Sequence, residues 1–152
     1  MNLAIIPARI GSKRIKNKNI KNFEGKPIIY YSILAAKLSG VFDKIIVSTD
    51  SLKIASISKK YGADVPFLRS KELSKDNIGI IEVISKVLKK LKIKPNLSTK
   101  VCCIYPTAPM LNKNFLIKGC KKLTQNYDYV LSVQREDSRI LRGFYINKKT
   151  II

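Results

Sequence analysis

The sequence contains no histidine and no tryptophan, and it sets only 10 acidic residues against 30 Lys and Arg. Without His, Ser–His and Cys–His nucleophilic relays are excluded, as are imidazole-ligated metals. Three cysteines do not make a disulfide framework. Cys102 and Cys103 are adjacent, so on a strand they face opposite ways, and Cys120 completes neither a CxxC nor a metal-ligand spacing. All three read as small buried apolar residues. The longest apolar runs, such as NLAIIPA, are far too short to span a bilayer. The first apolar run precedes the basic stretch instead of following it, which is the wrong order for a signal peptide. The expectation is a cytoplasmic protein with no membrane partner.

What is present is enough for one domain. A chain of 152 residues with 45% hydrophobic content can bury a real core, and the expected unit is a single α/β domain over residues 1–152. The formal net charge of +20 permits a nucleic-acid-binding reading, because a basic surface attracts phosphates whatever their sequence. The excess is mostly Lys, however, spread through segments such as KKLKIKPNLSTK and not interleaved with aromatics in a stripe. A solvated Lys-rich surface is the preferred account, with nucleic acid unexpected as a partner. Among the arginines, Arg9, Arg14 and Arg69 fall in loop-like contexts, where the planar guanidinium suits phosphate best.

Along the chain, Asn2–Pro7 reads as a buried strand and the stretch from Ala8 to Gly25 as loop. Pro27 suits the first turn of a helix running to about Ser39, ended by Gly40. KIIVSTD is a second buried strand. Ser51 caps a helix through Tyr61, Gly62 stops it, and ADVPFLR is a short extended edge. Residues 79–92 form an amphipathic helix, with Ile80, Ile84, Val87, Leu88 and Leu91 inward. KVCCIYP is a buried strand, residues 114–125 a helix, YDYVLSVQ a strand, and GFYINKKTII a hairpin turning at Asn147–Lys149. Strands alternating with helices predict βαβ units and a mostly parallel sheet. The chain stops at TII in or just after a strand. The expectation is therefore the N-terminal portion of a longer protein, or a truncated product.

In parallel sheets ligands bind beyond the carboxyl ends of the strands. That rule picks out the loop after Pro7, Ser48–Asp50, Phe67–Arg69 and Tyr105–Pro109. The first of these, ARIGSKRIKNKN, is neither a Walker A loop nor GxGxxG. It gathers Arg9, Lys13, Arg14 and Lys18 around Gly11 and Ser12, with Asn19 behind. Charge and backbone donors together could hold a triphosphate. On the residues alone, a phosphate cradle and a plain basic surface loop both remain open. Asp50 reads equally as a functional carboxylate and as a loop or helix cap.

The run IIPARIGSKRIKNKNI, followed by GKPIIYYSI, FDKIIVSTDS, YGADVPFLR, ELSKD and YPTAP, resembles the sugar-acid cytidylyltransferases, which include the sialic acid and Kdo nucleotide synthetases. VPFLR with CCIYPTAP is most similar to the branch acting on pseudaminic acid in bacterial surface-glycan pathways. The resemblance spans Asn2 to about Val133. It implies a Rossmann-like three-layer nucleotidyltransferase fold and transfer of CMP from CTP to the anomeric hydroxyl of a nine-carbon sugar acid, with release of pyrophosphate and usually with Mg²⁺. By position, Arg9, Ser12, Lys18 and Asn19 match residues that hold the triphosphate, Arg9 and Lys18 being the candidate catalytic pair. Ala8, Gly11, Lys13 and Arg14 share that loop, Arg69 matches a contact near base and ribose, and Tyr105, Pro106 and Thr107 match an element bordering both substrates.

Two departures stand out. Ile10 replaces a Gly of the usual ARGGSKR loop, which is costly if the position needs a positive φ. DNIGII lacks the hydroxyls that commonly follow its Asp. The resemblance also implies metal-binding aspartates and a dimer-forming insertion downstream of residue 152, so no metal ligand is expected here and a homodimer is expected of the full-length protein. The chain as it stands is then weakly active or inactive. The alternative is an inactive remnant that binds nucleotide or nucleic acid.

Overall fold

The computed structural model describes residues 1–94, 98–124, 126–133, 146–147 and 150–151. Strand β1 (Asn2–Pro7) is followed by the loop that ends in a 3₁₀ turn at Lys18–Ile20, then by a short hairpin of β2 (Asn22–Phe23) and β3 (Lys26–Pro27). Helix α1 (Ile29–Ser39), strand β4 (Lys44–Ser48), helix α2 (Leu52–Lys60), helix α3 (Ile80–Lys90), strand β5 (Lys100–Cys103) and helix α4 (Lys113–Lys122) complete the main body. A separate antiparallel pair, β6 (Ile146–Asn147) and β7 (Thr150–Ile151), bears out the terminal hairpin, although Lys148 and Lys149 lie outside the described residues.

The sheet is parallel with β1 in the centre, in the order β4-β1-β5. Leu3 pairs with Lys44 and Val101, and Pro7 with Ser48. Residues 63–69 run along the outer side of β4 through parallel bridges at Ile46–Asp64 and Thr49–Leu68, the edge that ADVPFLR predicts. Side chains alternate across β1 with the period of two that a pleat imposes. Leu3 and Ile5 pack with Ile46 and Val87 beneath α3. Ala4, Ile6 and Ala8 pack with Ile29 and Ile33 of α1, Val47, Ile54 of α2 and Leu116 of α4. The result is a Rossmann-like three-layer arrangement, with α3 on one face of the sheet. Burying each large aliphatic side chain contributes about 1.5–3 kcal/mol, so these two clusters carry most of the driving force.

Local signals explain most boundaries. The Ser51 side chain accepts from the Ile54 N–H to start α2. Asn112 does the same for α4 through Asn114. Gly40 ends α1 with φ +64°, a conformation that costs Gly little.

Two expectations fail. Pro27 does not open a helix: Glu24 and Gly25, at φ +45° and +77°, form a tight hairpin turn that puts Pro27 in β3. Paired positive φ values fit the right-handed twist of a two-residue hairpin, and a Gly at the second position makes that turn cheap. The Tyr31 hydroxyl donates to the Phe23 carbonyl and braces the turn from α1. Residues 127–133 are not a strand either, although their composition favours one. Their side chains are exposed, Tyr129 at 72%, and they pair with no described strand. Residue 134 lies outside the described residues. Strand propensity mostly reports burial against neighbours, and here those neighbours are missing among the described residues.

Candidate functional site

Because β1, β4 and β5 are parallel and in register, the segments that follow them emerge along one edge of the sheet. Ala8 extends the pairing one residue past β1, its N–H donating to the Ser48 carbonyl at 2.8 Å. The chain then leaves the sheet, and three contacts fix its course. The Ile10 N–H donates to Asp50 Oδ1 at 2.9 Å. The Ser12 N–H donates to the Ile10 carbonyl at 2.8 Å. Buried Asn19 donates from Nδ2 to the Arg9 carbonyl at 2.8 Å, closing the loop on itself.

Ile10 is accommodated without strain. Among the described non-glycine residues only Asn17, Glu24 and Lys92 have positive φ, and the Ile10 side chain packs against the core beneath the loop. The loop therefore does not need Gly at that position. Gly11 faces open space, with nothing within 4 Å of the place where a Cβ would sit. Its φ is not left-handed, so its smallness leaves open space beside the loop backbone and makes no turn. Asn17 supplies the loop's one positive φ, a conformation its short polar side chain tolerates.

Arg9 reaches from this loop to the segment between the outer strand and α3. Its Nη1 donates to the Ser74 carbonyl at 3.1 Å and pairs with Asp76 Oδ1. Lys13 Nζ pairs with the other oxygen of the same carboxylate. The two cations hold the Asp76 carboxyl below the usual carboxylate range, Lys13 contributing most. Arg14 and Lys18 are exposed and carry no ion pair among the described residues.

Arg69 reaches the same segment. Its N–H donates to the Thr49 carbonyl at 2.7 Å, and its Nε donates to Ser74 Oγ at 3.2 Å. The residue is only 8% exposed, and its Nη2 has no partner among the described residues. Burial lowers its pKa and the nearby Arg9 adds to that, while Asp50 opposes both. Asn19 Oδ1 and Ser48 Oγ are likewise buried and unpartnered. Buried polar atoms without partners are uncommon, because each forfeits its hydration. Arg69 Nη2 is a donor and Asn19 Oδ1 an acceptor of this kind, in side chains that otherwise bond to Ser74 and to the Arg9 carbonyl. Tyr105 is anchored by its carbonyl, which accepts from Ser32 Oγ on α1 at 2.8 Å, and its ring is exposed. Pro106 is buried and Thr107 half-buried beside it. No hydrogen bond or ion pair among the described residues joins Tyr105–Thr107 to Arg9 or Arg69.

Ser74 and Asp76 stand inside ELSKD, a run that carries the resemblance, but the sequence attached no role to either, and it left Asp50 undecided. Asp50 is now a loop anchor for Ile10 as well as a neighbouring charge for Arg69. ELSKD marks this segment but not what it touches, since the Arg9–Ser74 contact joins residues 65 positions apart. Among the described residues no three His, Cys, Asp or Glu side chains cluster to hold a metal. Asp50 and Asp76, the carboxylates beside the loop, are already engaged by Ile10 and by the two cations. The described residues thus do not form a Mg²⁺ ligand set. Burial pushes Cys102 up to about 11 and raises Cys103, so neither is a thiolate near neutral pH. Among the described residues no helix is long and apolar enough to cross a membrane.

A family model described as cytidylyltransferase matches residues 3–142. The chain belongs to the cytidylyltransferase family. It is 45% identical over 148 residues to a pseudaminic acid cytidylyltransferase of Campylobacter jejuni, covering 97% of this chain and 64% of that protein. It is 42% identical over 107 residues to a CMP-N,N'-diacetyllegionaminic acid synthase of Legionella pneumophila, covering 70% of this chain and 46% of that one. Among solved structures it is similar to CMP:2-keto-3-deoxy-manno-octonic acid synthetase complexed with CTP, with a TM-score of 0.66 at 18% identity. That match covers 79% of this chain and 46% of the other, and it shows the shared cytidylyltransferase fold. The chain thus spans just under two thirds of the Campylobacter relative.

Proposed function

We propose that this chain carries the nucleotide-binding part of a CTP-dependent cytidylyltransferase that makes a CMP-sugar acid, with pseudaminic acid as the acceptor. The observation that supports this best is the pinned loop after β1, which gathers Arg9 and Lys13 beside the buried, incompletely paired Asn19 and Arg69. In the reaction, the anomeric hydroxyl oxygen of the sugar acid bonds to the α-phosphorus of CTP. The bond from that phosphorus to the bridging oxygen breaks, the hydroxyl proton is lost, and pyrophosphate leaves with the bond's electrons.

The protein's part is positioning and charge neutralisation. Arg9 offers directed donors to the phosphate oxygens, and Lys18 a mobile point charge. Ser12 and the backbone at Gly11 line the triphosphate, with Lys13 and Arg14 as secondary contacts, while Ala8, fully buried with its N–H on the Ser48 carbonyl, ties the loop to the sheet. Arg69 satisfies polar groups of the nucleoside, and Asn19, bonded to the Arg9 carbonyl, holds the triphosphate loop. Tyr105–Thr107 border the acceptor. Mg²⁺, a homodimer of the full-length protein and a cytoplasmic location belong to the same proposal, and no step is drawn through the ion. The test is a coupled pyrophosphate assay on a version extended to the length of its relatives. CTP with pseudaminic acid is expected to release pyrophosphate faster than CTP with other nonulosonic acids. Release with none of them would defeat the proposal.

A further inference from the structure

We propose that Asp76 is a built-in counter-anion that occupies the phosphate cations of the loop after β1, and that an incoming polyphosphate must exchange with it. The inference rests on the nucleotide-binding reading above and adds a residue that sets the affinity of that site. The geometry is specific. One carboxylate uses its two oxygens on two different cations, Oδ1 on Arg9 and Oδ2 on Lys13, much as two non-bridging oxygens of one phosphate would. Both cations come from the loop, whereas Asp76 comes from the segment between residues 70 and 79, which leads from the outer edge of β4 to α3. The charge of that segment is itself mixed: it also carries Lys71 and Lys75, and Glu72, which is engaged with its own backbone and Ser70. Asp76 is the carboxylate of this segment that faces Arg9 and Lys13.

The exchange is cheap in both directions. The side chains of Asp76 and Lys13 are 42% and 82% exposed, so their pair is screened by water and weak. A triphosphate carries several charges against the single charge of the carboxylate and displaces it. Asp76 remains tethered next to the cations and returns when the anion leaves. It therefore discourages stray anions and speeds pyrophosphate release. Its effect on the fold is small, because the pair is exposed. Ser74, two residues earlier, holds both Arg9 and Arg69, so displacement of Asp76 is also felt where the nucleoside is expected to sit.

The test is calorimetric titration of the full 152-residue chain with inorganic pyrophosphate and inorganic tripolyphosphate at low ionic strength. Asp76→Asn is expected to bind both about 3- to 10-fold more tightly than the unaltered chain, the scale of one lost exposed ion pair plus one removed like charge. Glu72→Gln removes the same charge from the same segment without touching Arg9 or Lys13, and is expected to change affinity less than about twofold. Equal or weaker binding by Asp76→Asn overturns the proposal, as does an equal gain from Glu72→Gln or no polyphosphate binding by either protein. A second measurement needs no variant. The carboxyl carbon resonance of Asp76 in the unaltered chain is expected to titrate below the usual carboxylate range, the ion pair being lost as pH falls through that value. Tripolyphosphate is expected to move the titration back up, and a midpoint unmoved at saturation overturns the exchange. Failure of the nucleotide reading is distinguishable: tripolyphosphate would follow the pattern above while CTP bound no better than tripolyphosphate alone.

Discussion

Replacing Arg9 with alanine is expected to weaken CTP binding about 100-fold or more, with little change in melting temperature. The magnitude follows from charge-assisted hydrogen bonds, each contributing about 1.5–3 kcal/mol, of which a guanidinium fork can make two to a triphosphate. The substitution also frees one oxygen of Asp76 while Lys13 still holds the other, so the cluster falls from a net positive charge to a neutral pair beside the phosphate position. The fold should tolerate it. The Arg9 side chain is 34% exposed, and the contacts that pin the loop run through backbone N–H and C=O groups and Asn19, none of which the substitution removes. Lys89→Ala, on the exposed side of α3, removes one positive charge that has no ion pair or hydrogen bond with the loop among the described residues, and is expected to be nearly silent. Calorimetry of both variants checks the claim. Equal losses would mean that CTP feels only the overall charge of +20.

The second large effect is expected at Arg69. Arg69→Met should lower CTP affinity about 10-fold or more while leaving the melting temperature unchanged or a few degrees higher. A buried guanidinium is costly unless its donors are satisfied, and here Nη2 has no partner and no carboxylate is bonded to it. Methionine fills most of the same space with an adaptable apolar chain. What is lost is the Nε donation to Ser74 Oγ, and that hydroxyl keeps its own bond to the Ser70 carbonyl. Stability surrendered at a ligand site and recovered by an apolar replacement is a usual sign of a functional group. A sharp fall in melting temperature with unchanged CTP affinity would make Arg69 a structural residue.

The parts of the site that the sequence disclosed are those that are continuous in it. A buried strand running into ARIGSKRIKNKN placed the loop at a sheet edge, because strand polarity and the parallel βαβ pattern leave no other course for it. The helices were visible for similarly local reasons, such as the cap at Ser51 and the apolar spacing from Ile80 to Leu91. The β2–β3 hairpin was obscured because Pro27 carries a strong helix-start signal, whereas Glu24 is an unusual residue at positive φ. Residues 127–133 misled for the opposite reason: aromatic and β-branched residues favour a strand only when a neighbouring strand accepts them. Ser74 and Asp76 were visible only as letters of ELSKD, since their roles arise only when the fold brings Arg9 onto them. Ile10 looked like a defect by comparison with a Gly-Gly loop. In place, its backbone is unstrained, its N–H is used by Asp50, and its side chain closes the core.

The central claim is that this edge of the sheet is a CTP site and not merely a basic surface. It is tested most directly by titrating the chain calorimetrically with CTP, UTP, ATP and GTP under identical salt. The account predicts that CTP binds most tightly and that inorganic tripolyphosphate competes with it. Equal affinity for all four nucleotides, falling together as salt rises, would contradict it.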